Sequence, residues 1–242
     1  MKAVAATDVG RLREVNQDYV FCSDKPIGNL SNLFIVADGM GGHKAGDLAS
    51  RFTVDSFVDT IKGLTSTNPI TLIEEAIRSA NEQLIKKSKE SDEYTGMGTT
   101  LVVATIDGDM LYIANVGDSR LYIYNADLNQ ITQITRDHSL VEAMISMGEI
   151  DRKDARKHEK KNIITRAIGG MDNILADFFD VKLNSNDLIL MCTDGLTNML
   201  EDEEIKKILK TGNDIRECAD MLIEKANNNG GKDNIGVVLI KP

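Results

Sequence analysis

In Leu33-Phe34-Ile35-Val36-Ala37-Asp38-Gly39, an apolar run stops abruptly at a carboxylate and a glycine. The run is short and rich in β-branched and aromatic residues, which predicts a buried strand. The same ending recurs along the chain. Leu188 to Thr193 ends in Asp194-Gly195, and Leu111 to Val116 ends in Gly117-Asp118. Asp18 opens the strand-like run Tyr19–Ser23, and Asp233 precedes Ile235–Ile240. A buried strand carries few charges in its middle, so a carboxylate at its tip lies at the edge of the core. The glycine beside it lets backbone approach a ligand closely and leaves a carbonyl for coordination. Each Asp-Gly is also an ordinary turn on its own, so the weight lies in the repetition. If these tips converge, like charges face each other and only cations relieve them. Hard divalent ions with oxygen ligands, Mg²⁺ or Mn²⁺, suit such a set.

Working outward, strand-like runs also cover Ala3–Thr7, Thr100–Ile106, Met110–Val116 and Arg120–Tyr124. Four segments, about 43–62, 69–90, 201–210 and 213–228, read as helices. In the second, Ile70, Ile73, Ile77, Ala80, Leu84 and Ile85 form one apolar face behind Pro69 at its start. Helices come in pairs and do not alternate with strands. That order argues against a doubly wound parallel sheet and for antiparallel sheets with helices packed outside. Residues 137–166 break the pattern. Asp151 to Lys161 holds six basic and three acidic residues, a local +3 in a chain of net charge −10. It reads either as a solvated loop with a short helix or as a mobile segment that greets an acidic ligand.

With 242 residues, 42% hydrophobic and 27% charged, the chain can bury a core without staples. No apolar run approaches the ~20 residues that cross a bilayer, and MKAVAATDVG at the start lacks the apolar region of a signal peptide. Three widely spaced cysteines suggest neither a disulfide framework nor a zinc site, so the expected setting is reduced and cytoplasmic. The acidic balance carries no overall basic footprint for nucleic acid. The loop Asp38 to Gly46 resembles a nucleotide loop, but Lys44 stands where G-x-G-x-x-G requires its third glycine, and no Gly-Lys-Ser/Thr follows. His43, five residues after Asp38, fits a proton donor for a departing alkoxide. Arg13, five residues before Asp18, can grip a phosphate through its guanidinium.

Thr7-Asp-Val-Gly10, Arg13-x-x-Asn-Gln-Asp18, Phe34 to His43, Gly98-Thr-Thr100, Ala114 to Arg120, Asp137-His138, Ile164 to Gly169, Thr193-Asp-Gly-Leu196 and Lys232-Asp-Asn234 appear in one order over nearly the whole chain. Together they resemble the metal-dependent Ser/Thr protein phosphatases of the PPM, or type 2C, family, in its compact bacterial form. The resemblance implies a single α+β domain over 1–242, a four-layer α-β-β-α sandwich of two antiparallel sheets with helix pairs outside and a flap at about 138–165. It implies two catalytic Mn²⁺ or Mg²⁺ ions and a third. Asp38 would bridge two metals, with Asp18 and the Gly39 carbonyl on one side and Asp194 and Asp233 on the other. Asp118 with Asp194 would form the third site. Arg13 would bind the substrate phosphate, His43 would act as general acid, and Asn234 would lie beside the metals. The implied activity is hydrolysis of phosphoserine and phosphothreonine in proteins, through a hydroxide held between two ions, opposing eukaryotic-type Ser/Thr kinases, by a chain expected to be monomeric. The rival reading is an inactive phosphoprotein-binding relative, which would be expected to lack a ligand position. Gly236 departs from the family, which often has Ser or Thr there, and it is expected to touch no ligand.

Overall fold

A computed structural model describes residues 1–42 and 45–242; His43 and Lys44 lie outside the described residues. The elements run β1 (Lys2–Asp8), β2 (Asp18–Ser23), β3 (Leu33–Met40), α1 (Ala45–Gly63), α2 (Pro69–Ser88), β4 (Gly98–Thr99), β5 (Leu101–Asp107), β6 (Met110–Val116), β7 (Arg120–Asn125) and β8 (Gln130–Gln133). After them come α3 (Leu140–Ser146), β9 (Asp177–Lys182), β10 (Asp187–Cys192), α4 (Asp194–Thr197), α5 (Asp202–Thr211), α6 (Ile215–Asn228) and β11 (Ile235–Lys241). One sheet has the order β2-β3-β5-β6-β9, with β4 paired to β3; the other has the order β1-β11-β10-β7-β8. Every pairing is antiparallel. No helix among the described residues is long and apolar enough to cross a membrane.

The sandwich follows from strands whose two faces are both apolar. In β3, Leu33, Ile35 and Ala37 pack against α1 and α2, while Phe34 and Val36 point to the opposite sheet. In β11, Ile235, Val237 and Leu239 pack against α5 and α6, while Val238 and Ile240 point inward. Period-two alternation thus builds two helix-on-sheet cores and one sheet-on-sheet core, the four-layer arrangement that the resemblance implied. The helices start where their caps say. The Asn68 side chain accepts from the Ile70 and Thr71 amides before Pro69 opens α2, and Asp214 accepts from Arg216 and Glu217 at α6.

Two differences from the sequence reading have plain causes. The strand β9 carries Asp177, Asp180 and Lys182 and forms an edge on β6, so its charge hid its pairing. The edge strand β8 is short and polar. Residues 138–165, read as a solvated loop with a short helix or as a mobile flap, contain α3 and a 3-10 turn at Arg152–Lys157. They leave the sheets through a narrow neck, where Ser139 pairs with Ile164.

Phe34 is fully buried between the sheets. Phe34→Ala should lower the unfolding free energy by about 3–5 kcal/mol in urea denaturation. Leu128→Ala, at a side chain 73% exposed, should change it by no more than about 0.5 kcal/mol.

Candidate active site

The alternation that builds the core also aims the acids. Asp38 follows Ala37, so it falls on the same side of β3 as Phe34 and Val36, at the open end of the gap between the sheets. Asp18 is its register partner on β2 and shares that face. From the other sheet, Asp194 begins α4 directly after β10, and Asp233 sits two residues before β11. Asp118 lies in the turn between β6 and β7. Acids that are distant in sequence therefore meet at one edge of the sandwich.

Close backbone packing holds them there. A Cβ at Gly39 would stand 2.0 Å from the Gly46 carbonyl oxygen, and one at Gly195 would stand 1.8 Å from the Asn234 carbonyl oxygen. These glycines are required because backbone from another element occupies the space. Thr193 Oγ1 donates to Asp18 Oδ2 at 2.7 Å and accepts from the Gly236 amide at 2.8 Å, joining the two sheets through one hydroxyl. Gly236, expected to be clear of the ligand positions, adjoins one of the residues expected to be a ligand: a Cβ there would lie 3.3 Å from Asp18 Oδ2. Thr100 Oγ1 accepts from the Asp38 amide at 2.9 Å and contacts Ser119 Oγ at 2.8 Å, which links the Asp38 and Asp118 turns. Asn198, one helical turn after Asp194, donates to its Oδ2 at 2.9 Å.

Asn234 acts on the Arg13 loop. Its Nδ2 donates to the Val9 and Val15 carbonyls at 2.9 and 3.0 Å, and its Oδ1 accepts from the Gln17 amide at 2.9 Å. The loop so stapled brings Arg13 Nη2 within 2.8 Å of Asp233 Oδ2. Sequence reasoning assigned no role to Thr193, Thr100 or Asn198. Only the i, i+4 spacing of Asp194 and Asn198 was a usable signal. His43, the expected acid, lies outside the described residues.

The basic run at 151–161 presents less charge than its composition suggests. Arg152 pairs with Glu142 at 2.8 Å, Lys153 with Asp151 at 3.1 Å, and Arg156 with Glu201 and the Thr197 and Leu200 carbonyls. Lys161 Nζ donates to Asn198 Oδ1 at 3.1 Å, so this segment reaches the residue that caps Asp194.

Burial pushes the carboxyls of Asp18, Asp38 and Asp118 well above the ordinary aspartate range. Neighbouring acids add to it: Asp194 and Asp233 around Asp18, against a lowering bond from Thr193; Asp18, Asp194, Asp118 and Asp233 around Asp38; Asp194 and Asp137 around Asp118. Asp194 is raised to about 6, by burial and then by Asp233. Asp18 Oδ1, Asp118 Oδ1 and Asp194 Oδ1 are buried without a hydrogen-bond partner. Among the described residues no three acidic, His or Cys side chains are already drawn to coordination geometry; the grouping rests on register, burial and mutual charge. Unpartnered buried carboxylate oxygens that repel one another are nonetheless the donor set that hard divalent cations satisfy, so the residues fit the metals.

The sign of the pH response follows. A carboxyl with a raised native pKa binds more protons folded than unfolded, so stability falls as pH rises through that window. For Asp194 the window runs from the ordinary 3.8 to about 6. In EDTA, the melting temperature should fall across it, more steeply for the native protein than for Asp194→Asn. At about pH 7 the variant should be the more stable of the two. Thermal melts at several pH values check this, and a variant no more stable than the native chain at about pH 7 would contradict a penalised charge here.

Comparison with known proteins agrees with this geometry. The family model described as protein phosphatase 2C matches residues 11–230. The serine/threonine phosphatase stp of Listeria innocua is 40% identical over 245 residues, covering 100% of this chain and 96% of that protein. The crystal structure of serine/threonine phosphatase Stp1 from Staphylococcus aureus superposes with a TM-score of 0.91 at 36% identity, covering 100% of this chain and 94% of that one. The catalytic domain of the serine threonine protein phosphatase PstP, solved in complex with 2 manganese ions, has a TM-score of 0.86 at 29% identity, covering 98% of this chain and 96% of that one. With a matching family model over most of its length and relatives aligned end to end, this chain belongs to the protein phosphatase 2C family.

Proposed function

We propose that this chain removes phosphate from phosphoserine and phosphothreonine in proteins, with residues 1–242 acting as one phosphatase unit. The observation that carries the reading is the set of aspartates gathered at one edge, whose buried oxygens lack partners, with an arginine 2.8 Å from one of them. Asp38 would serve two ions, with Asp18 and Gly39 on one side and Asp194 and Asp233 on the other. Asp118 and Asp194 would hold a third. Either Mn²⁺ or Mg²⁺ meets the chemistry of these donors. When bound, the ion pair supplies an activated water and neutralises charge on the phosphate.

The chain's own residues do the rest. Arg13 is held at the rim by the Asn234 staple and offers its guanidinium to the phosphate oxygens, where charge develops in the transition state. Thr193 fixes Asp18 with one oxygen turned away from its bond, and Asn198 does the same for Asp194. His43, placed by sequence five residues after Asp38, would protonate the departing serine or threonine oxygen. The thiol two residues before Asp194 is a poor nucleophile: Cys192 is buried and its thiol pushed up by that burial. A relative without chemistry would lack a ligand, and here every ligand position of the motif is filled. We extend the proposal to a cognate Ser/Thr kinase among the substrates, a monomeric state and a cytoplasmic setting.

Asp38→Asn, or Asp233→Asn, should abolish Mn²⁺-dependent turnover of a phosphothreonine peptide. Full turnover by either variant in EDTA would end the proposal. His43→Ala should cost about 10²–10⁴-fold on the peptide and much less on p-nitrophenyl phosphate, whose leaving group needs little protonation. Parallel rate measurements on the two substrates decide it.

A further inference from the structure

We infer that His138 is a positioning residue that sets the Asp118 turn and ties it, through Asp177 and Arg166, to the neck of the 138–165 segment. The inference rests on the proposed reading of Asp118 as a ligand of the third ion.

The turn itself is unusual. Gly117 has φ +108°, and a Cβ there would stand 2.6 Å from the Thr100 Cβ, so the backbone is held where only glycine fits. His138 is 6% exposed and grips this glycine from both ends. Its amide donates to the Gly117 carbonyl at 2.8 Å, and its Nδ1 accepts from the Gly117 amide at 3.0 Å. Asp118, with its unpartnered Oδ1, is the next residue.

An accepting Nδ1 places the ring proton on Nε2. That nitrogen lies 3.1 Å from Asp177 Oδ2 and 3.1 Å from Arg166 Nη1, and since Nη1 is also a donor the Nε2 proton goes to the carboxylate; Arg166 Nη1 in turn donates to Asp177 Oδ1 at 2.7 Å and to the Leu175 carbonyl at 3.0 Å. Two donors thus converge on one carboxylate of β9. Partial burial alone would raise Asp177, but hydrogen bonds from Arg166 and His138 hold it below the ordinary range. Burial in turn lowers His138, which keeps the Nδ1 lone pair available to Gly117. His138 and Arg166 also stand on the two strands of the neck. Thr165 donates to the His138 carbonyl at 2.8 Å, and Leu140 donates to the Ile163 carbonyl at 2.8 Å. The carboxylate that orients His138 therefore also clamps the base of the segment whose Lys161 reaches Asn198.

The test is Mn²⁺ binding by isothermal titration calorimetry on the full chain. Asp118→Asn should remove one binding event and so identify the site. His138→Leu should weaken that same event by about 10–100-fold, the usual cost of losing a partner behind a ligand, and leave the other events unchanged. His138→Asn places an acceptor oxygen where Nδ1 stood and should recover most of the loss. If Asp118→Asn removes no event, the ligand reading fails and takes this inference with it. If Asp118→Asn removes an event that His138→Leu leaves intact, the ligand reading stands and the positioning role is overturned. Uniform weakening of all events, unrescued by Asn, would also overturn it, as a general packing effect. Should His138→Leu not fold, Asp177→Ala at the more exposed end of the network faces the same comparison, with selective weakening expected and none overturning the inference.

Discussion

Carboxylates that repel each other in a dry place are the constraint to which the rest of this molecule answers. An isolated buried carboxylate is costly enough that it normally takes up a proton. Here Asp18, Asp38, Asp118 and Asp194 are all driven upward by burial, and each by at least one neighbouring acid as well, Asp233 in the case of Asp194. A fold under no functional demand would replace one of them with an amide. The chain instead spends backbone contacts, as at Gly39 and Gly195, to keep them close. Such an arrangement is relieved by protons or by positive charge between the acids, so bound ions would contribute to folding energetics as well as to chemistry.

The sandwich supplies what the acids need, because its two sheets present their edges to one another. Neither sheet owns the site. Asp38 and Asp18 come from the β2–β3 pair, and Asp194 and Asp233 from the ends of β10 and β11. The Thr193 hydroxyl, bonded to Asp18 on one side and Gly236 on the other, is a joint between the layers. It also explains why Gly236 matters: with no side chain there, Asp18, Thr193 and Val20 close up around the position at 3.3 Å. A larger residue would need these neighbours, Asp18 among them, to give by a few tenths of an ångström.

The legible part of the sequence was the part written in local pattern. Strand β3 and its terminal acid stood out because an apolar run stops at Asp38-Gly39, and α2 stood out because one face repeats behind Pro69. Motif order named the family and, with it, the grouping of acids. Residue spacing alone reaches no further than strand tips, because whether Asp18 and Asp233 meet depends on how two sheets stack. The edge strand β9 was hidden by its charges, Asp180 and Lys182 toward solvent and Asp177 toward Arg166 and His138, and the exact place of α3 by the polar stretch around it. Side-chain partners were the least visible. Beyond the i, i+4 spacing that pairs Asn198 with Asp194, nothing in Thr193 or His138 as letters says which oxygen or amide each will meet. The basic run at 151–161 was legible as charge but misleading as potential, because Arg152 and Arg156 spend theirs on Glu142 and Glu201.

Arg13 poses the remaining energetic question, since under the proposed role a guanidinium paired with Asp233 must still be available to a phosphate. The magnitudes decide it. Both partners are substantially open to water, with side chains 49% and 34% exposed. Pairs of that kind contribute about 0–1 kcal/mol. A hydrogen bond to a charged group is worth roughly 1.5–3 kcal/mol, and a dianionic phosphate offers a guanidinium two parallel ones. Release of Asp233 therefore costs at most about 1 kcal/mol, and the ion pair orders Arg13 without locking it. The staple from Asn234 acts on the backbone of the same loop and leaves the guanidinium free to turn. Rim and interior are thus handled differently: the exposed acid is steadied by a residue that can let go, and the buried acids are left for ions that the chain itself does not supply.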